Sequence, residues 1–151
     1  MDETIFARSL EDQLCFEVYK ASNGFSRMYG RALKPFGLTF PQYLVLLALW
    51  DEDHVFIKNI SDRIGMSIGT LNPILNRLKV QGWIEKVASD MDKRAVFVTL
   101  TEKSQQSKKA ISKAILNEII NCNMTDISNE AFTRGLKSLN NEFDRLEEKD
   151  H

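Results

Sequence analysis

Apolar positions recur at helical spacing along most of this chain. Leu10, Leu14, Val18, Ala21, Phe25, Met28 and Ala32 fall at steps of three and four, which predicts one long helix over 8–33 with a single buried stripe. Lys34-Pro35-Phe36-Gly37 ends it, because proline and glycine both interrupt helices. Thr39-Phe40-Pro41-Gln42 has the form of a capping box and starts a very apolar helix through Trp50, closed by Asp51-Glu52-Asp53. His54 to Phe56 suits a short strand and Lys58 to Ile64 a short helix. Ser67 is a good N-cap for a helix to about Gln81, before Gly82. Trp83–Val87 and Ala95–Leu100 alternate as strands, with Ser89-Asp90-Met91-Asp92 as their turn. Two long amphipathic helices complete the chain, at about 102–121 and 127–148. Their apolar positions include Ile111, Ile115 and Ile119, then Phe132, Leu136, Leu139, Phe143 and Leu146.

The predicted fold is mainly α with a small β-wing. Residues 57–101 form its most informative part: helix, tight turn, helix, then two strands around a polar tip. That order is a winged helix-turn-helix, which seats its second helix in a DNA major groove. A single domain over 1–151 is expected, with about 39–101 as the winged helix-turn-helix. The flanking segments, about 1–36 and 102–151, are too long and too apolar for so small a module to cover. A homodimer with interleaved terminal helices would bury the excess, and paired readers suit a two-fold, pseudo-palindromic operator in double-stranded DNA.

On the second helix of the pair, Leu71, Ile74, Leu75 and Leu78 share the inward face. The outward face shows Gly69, Asn72, Pro73, Asn76 and Arg77, with Ser67 and Thr70 near its start. Short polar side chains approach base edges closely; Asn can pair bidentately with adenine and Arg with guanine. Ser67 and Thr70 suit phosphate contacts at a helix N-terminus. Periodicity alone leaves this face open between a DNA contact and an ordinary solvated surface. The hairpin tip, Asp90-Met91-Asp92-Lys93-Arg94, favours DNA, since nothing structural requires two cations there. Arg94 at such a tip can enter a minor groove, with Asp92 holding its guanidinium by a bidentate pair.

Charge agrees with that placement. The chain as a whole has a formal net charge of −1, yet residues 54–103 hold eight Lys or Arg against five Asp or Glu. The start, MDETIFARSLED, lacks a basic-then-apolar signal region, and no apolar run approaches the ~18 residues needed to span a bilayer. A cytoplasmic protein without a membrane partner is expected. Cys15 and Cys122 are the two cysteines, too few for a disulfide scaffold and not spaced as a zinc site. His54 and His151 are single, and no metal, nucleotide, Ser-His-Asp or other cofactor-binding constellation is present, so an enzyme is not expected. A thiol peroxidase using Cys15 would lack the Pro- and Thr-containing run that precedes the catalytic cysteine of peroxiredoxins.

Several segments together resemble the MarR family of winged-helix regulators over nearly the full length, and most of all its organic-hydroperoxide-responsive OhrR/SarZ branch. They are Gln13-Leu14-Cys15-Phe16 with Tyr19, Leu38-Thr39-Phe40-Pro41-Gln42-Tyr43-Leu44-Val45-Leu46, Gly69-Thr70-Leu71-Asn72-Pro73-Ile74-Leu75, Arg77-Leu78, and Asp92-Lys93-Arg94 with Leu100-Thr101-Glu102. The resemblance implies a dimeric repressor that leaves DNA when an N-terminal cysteine, matched by Cys15, is oxidised. Tyr29 matches a phenol that crosses the dimer interface to the sulfur, Arg94 the minor-groove arginine and Asp92 its orienting carboxylate. Three positions depart from the pattern. Phe40 replaces a second tyrosine that contacts the thiol, and Tyr19, one turn from Cys15, is a candidate substitute. Ser67-Ile68 replaces an Asp-Ser pair, and Asn76 stands where a basic residue is common.

Peroxide attack on a thiolate gives a sulfenic acid, which condenses with a second thiol. Two-cysteine members of the branch keep a resolving cysteine near the position of Cys122, which implies a Cys15–Cys122 bridge between subunits. The alternative is capping of Cys15 by a low-molecular-weight thiol. A separate possibility is release by a small aromatic ligand in a cleft near Phe25, Tyr29, Tyr43 and Trp50.

Overall fold

A computed structural model describes residues 4, 8–92, 94–124 and 130–149. Its α-helices are α1 (Leu14–Leu33), α2 (Phe40–Asp51), α3 (Ile57–Ile64), α4 (Ile68–Val80), α5 (Glu102–Asn121) and α6 (Glu130–Lys149). Strands β1 (Val55–Phe56), β2 (Ile84–Ala88) and β3 (Val96–Leu100) form an antiparallel sheet in the order β1-β3-β2. The mainly helical fold with a small wing is the expected one. No single described helix is long and apolar enough to cross a membrane.

Local chemistry sets the element ends. The Thr39 hydroxyl accepts from the Gln42 backbone N–H at 3.4 Å, and the Gln42 side chain accepts from the Thr39 N–H at 2.9 Å, which completes the capping box of α2. Gly65 ends α3 in the left-handed region at φ 76°, where a Cβ would be strained. The chain then turns directly into α4. The β2–β3 hairpin runs in register from Ile84 opposite Leu100 to Ala88 opposite Val96.

Leu33, Val45, Leu46, Leu49, Leu71, Leu75, Leu78, Val98 and Ile111 are wholly buried in one core beneath α4 and the sheet. Trp50 donates from its indole N–H to the Ser104 carbonyl at 3.2 Å, which ties α2 to the start of α5. Arg31 pairs with Glu118 at 3.2 Å and ties α1 to the end of α5.

Two expectations fail. The first helix starts at Leu14, not near residue 8, and Leu10–Asp12 make a separate 3₁₀ turn. Ser9 donates to the Asp12 carboxylate at 3.1 Å, a local bond of the kind that competes with helix formation. The α1 stripe is also not buried as a unit. Met28 and Ala32 are core, but Leu10, Leu14 and Val18 are 58%, 73% and 44% exposed. The cause is the reach of α5, whose end meets α1 near Arg31 and Phe25 and leaves its first turns uncovered. Along α6, Phe132, Leu136, Phe143 and Leu146 are exposed too, and none of its residues is buried. Residues 127–129, assigned to that helix from sequence, lie outside the described residues.

Candidate nucleic-acid interface and thiol positions

The core fixes how α4 is presented. Leu71, Leu75 and Leu78 anchor it, with Ile74 half-buried at their side. Gly69, Thr70, Pro73, Asn76 and Arg77 are therefore exposed, and Asn72 is half-buried. Pro73 lies inside the helix. It has no N–H, so it donates no hydrogen bond to the Gly69 carbonyl four residues back.

The start of α4 is internally bonded. Ser67 Oγ accepts from the Thr70 N–H at 3.2 Å and donates to the Thr70 hydroxyl at 2.9 Å. Ser67 is thus occupied as the helix cap. The Thr70 hydroxyl proton and the exposed first-turn N–H groups are what this end offers an anion. Asn72 lines a cleft of about 420 Å³ between α4 and the wing, together with Ile57, Lys58, Ile68, Arg94 and Val96.

The wing corrects one detail. The Asp92 carboxylate accepts the backbone N–H of Arg94 at 2.9 Å, rather than its guanidinium. The carboxylate closes the turn, as an Asp two residues ahead commonly does. Arg94 is exposed, with no ion pair among the described residues. Lys93 lies outside the described residues.

Lys86 was not legible in the sequence as part of this surface. From β2 its Nζ donates to Asn76 Oδ1 at 2.6 Å and reaches the outward flank of α4. Burial lowers its pKa below the usual lysine value, and the charge of Lys79 adds to that effect. Nothing in an alternating strand reports a bond ten positions back across a helix.

The two cysteines are free and exposed. Cys15 lies on the first turn of α1, one turn from Tyr19, which is also exposed. Tyr29 is farther along the same helix, half-buried, with its ring on Phe40 at 4.6 Å and near Tyr43 at 5.7 Å. Fourteen residues of helix separate Cys15 from Tyr29, about 21 Å of rise, so the two do not meet within one chain. Cys122 follows α5, and Arg31 Nη2 donates to its sulfur at 3.5 Å. Arg31 is sixteen residues of helix from Cys15, about 24 Å. Cys122 also lines a cavity with Ala21, Phe25 and Arg31, and Ala21 is six residues, about 9 Å of rise, from Cys15; within one chain the two thiols are unbonded.

Burial raises the pKa of Tyr29. It does the same for Tyr43, where the charge of Tyr29 adds a smaller effect. Both phenols therefore keep their protons and remain hydrogen-bond donors. Tyr43 meets Trp50 edge-on at 6.3 Å. The aromatic residues suggested for a ligand cleft are thus largely engaged with one another, while Phe25 and Tyr29 line a smaller apolar cavity of about 200 Å³ with Met28, Ile119 and Leu136.

Residues 27–111 match the SarA/Rot transcriptional regulator family. The chain is 43% identical over 101 residues to the HTH-type transcriptional regulator TtmR of Methylorubrum extorquens, a stretch covering 67% of this chain and 52% of TtmR. It therefore spans about half the length of that relative. It is 37% identical over 107 residues to the HTH-type transcriptional regulator MgrA of Staphylococcus aureus, covering 70% of this chain and 73% of MgrA. Solved structures of AbfR, a Staphylococcus epidermidis protein, also superpose. Reduced AbfR bound to DNA gives a TM-score of 0.79 at 34% identity, over 91% of this chain and 94% of AbfR. The overoxidized protein bound to DNA gives 0.77 at 34% identity, over the same 91% and 94%. The disulfide form gives 0.66 at 33% identity, over 89% and 91%.

Proposed function

Since this chain belongs to the SarA/Rot family of MarR-like winged-helix transcriptional regulators, and so binds DNA as a regulator rather than acting as an enzyme, we propose that it is a homodimeric repressor switched by oxidation of Cys15. The finer reading places it with the organic-hydroperoxide-sensing regulators. α4 enters the major groove through Gly69, Asn72, Pro73 and Arg77. Arg94 enters the flanking minor groove from the wing, where a narrow groove concentrates negative potential.

The observation that carries the switch is the state of the two thiols. Both are exposed and unbonded in one chain, and the cavity that Cys122 lines extends along α1 to Ala21, six residues after Cys15. A second copy would bring its own Cys122 to Cys15. It is also what the uncovered first turns of α1, and the apolar face of α6, require. The Cys15 thiolate attacks the distal oxygen of an organic hydroperoxide, releases the alcohol and becomes a sulfenic acid. The Cys122 thiol of the other copy then attacks that sulfur, forming the disulfide and releasing water. The Tyr29 phenol donates to the Cys15 sulfur of the other copy.

The AbfR structures support a bridge over mere oxygenation as the release signal. Overoxidized AbfR was crystallised on DNA, whereas its disulfide form superposes less well on the chain described here than its DNA-bound forms do. Added oxygens at one sulfur leave two reading heads where they were. A bridge between helices displaces one head relative to the other, and both must fit successive grooves at once.

Non-reducing electrophoresis and DNA binding after cumene hydroperoxide test this. Wild type should form a crosslinked dimer and lose DNA. Cys15→Ser and Cys122→Ser should each do neither. A crosslink that survives Cys122→Ser overturns the pairing, and unchanged DNA affinity on oxidation overturns the switch.

A further inference from the structure

Asn76 is the position on α4 where a basic residue was expected and is missing. The structure supplies a cation there from a different element. Lys86 on β2 bonds Asn76 Oδ1 at 2.6 Å. An ammonium is a donor only, so it must meet the oxygen of the amide and not its nitrogen. With that oxygen taken, Asn76 turns its NH₂ outward. One of the two acceptor sites of that oxygen is then filled and the amide is held toward the lysine, which competes with the bidentate pairing to adenine N6 and N7.

Lys79 lies three residues beyond Asn76, hence beside it on the same flank of the helix. Three groups from two elements therefore present mainly donors: two ammonium ions and an amide NH₂. Neither lysine has a carboxylate within ion-pair range among the described residues. Lys86 is half-buried, and the like charge of Lys79 bears on it. Two unneutralised cations held near each other, one partly out of water, repel in the free protein. An anion relieves both the repulsion and the lost hydration.

We propose that Lys86, Asn76 and Lys79 form a clamp for a phosphodiester oxygen of the DNA backbone, beside the groove that α4 reads. The clamp replaces a cation on the reading helix by one from the wing sheet. Asn76 is consequently a backbone-positioning residue and carries no base preference. This rests on DNA binding by the α4 face and is independent of the thiol switch.

The test uses the full-length reduced protein and two labelled duplexes of 26 base pairs. One is enriched by the wild type from a random-sequence pool, and the other is its scrambled counterpart. Lys86→Met should weaken both by about the same factor, roughly five- to tenfold near physiological salt, and lower the slope of log affinity against log salt by about 1. Lys79→Met should act in the same way. Lys86→Arg should keep most of the slope, which separates loss of charge from damage to the fold. An unchanged slope in both methionine variants overturns the clamp. So does an Asn76→Ala loss confined to substitutions at one base pair, since that is the mark of base reading. A wild type that enriches no duplex from the pool overturns the DNA-binding face itself, a result distinct from either of these.

Discussion

The ring of Phe40 lies stacked on that of Tyr29, with centroids 4.6 Å apart and planes 25° from parallel. The contact crosses from the first turn of α2 to the C-terminal part of α1. It holds the Tyr29 phenol in place without offering a hydroxyl of its own. Phe40→Tyr restores a second phenol beside the proposed position of the Cys15 sulfur. It should speed sulfenic acid formation by hydroperoxide several-fold, and Tyr29→Phe should slow it by roughly tenfold. These magnitudes follow from about 1.5 kcal/mol for a hydrogen bond to a charged acceptor. Trapping of the sulfenic acid by a 1,3-dione, followed by mass, gives the rates. Equal rates in all three proteins would remove the phenols from the chemistry.

Tyr29 and Tyr43 also predict how stability responds to alkali. Their folded pKa values lie above the usual tyrosine value of about 10, chiefly through burial. The unfolded chain therefore loses these protons first as pH rises. The associated stability is complete below about pH 10 and is lost as pH climbs through the folded values. Urea midpoints should be level from pH 8 to 9 and fall above pH 10. Tyr43→Phe should flatten that fall. A midpoint that rises in this range contradicts the assignment.

Arg94 separates binding from folding. Its side chain is exposed and its backbone N–H, not its guanidinium, holds Asp92. Arg94→Ala should leave the thermal midpoint within about 1 °C while weakening DNA binding by roughly ten- to hundredfold, the span of a 1–3 kcal/mol contact. Asp92→Ala should do the reverse in part, loosening the turn and lowering affinity only through it. Calorimetry and fluorescence anisotropy on the same samples distinguish the two.

The opposite dissociation is expected beneath α4. Leu75 is wholly buried, and Leu75→Ala removes three carbons from a packed core, at a cost of about 2–5 kcal/mol. The denaturant midpoint should drop accordingly, with the slope unchanged. Any DNA binding that remains should show the wild-type salt dependence, since no phosphate contact is touched.

Leu14→Glu or Val18→Glu places a charge on the uncovered part of α1, which is solvent-exposed in the single chain. If that face is covered by a second copy, either variant should sediment as a monomer at concentrations where wild type is a dimer, and should lose the hydroperoxide crosslink with Cys15 and Cys122 both intact. Wild-type sedimentation by both variants would place the interface elsewhere.

What could be read from the sequence was whatever is local or periodic. The capping box at Thr39 and Gln42, the N-cap at Ser67 and the inward face Leu71, Leu75 and Leu78 need only near neighbours and a period of 3.6. The α1 stripe shows where period falls short. It says that Leu14 and Val18 share a face with Ala32, but not that α5 stops before reaching them. Pairings between distant segments were closed to inspection. Lys86 with Asn76 depends on how β2 crosses α4, and Arg31 with Cys122 joins residues far apart along the chain. Asp92 is a smaller case of the same limit. Its neighbour was identified, but whether a carboxylate bonds a guanidinium or a main-chain N–H depends on turn geometry that no spacing encodes.

The bare first turns of α1 carry a consequence for the cell. If they find their cover only in a second copy, the surroundings of Cys15 exist only when two chains have met. Mass action then sets how much working sensor there is. Below the dissociation constant the sulfur sits on an open helix in water, remote from any Tyr29, and both reading heads drift apart. Abundance would act as a second input beside oxidant. A cell that dilutes the protein through growth would loosen its grip on DNA with no peroxide present at all.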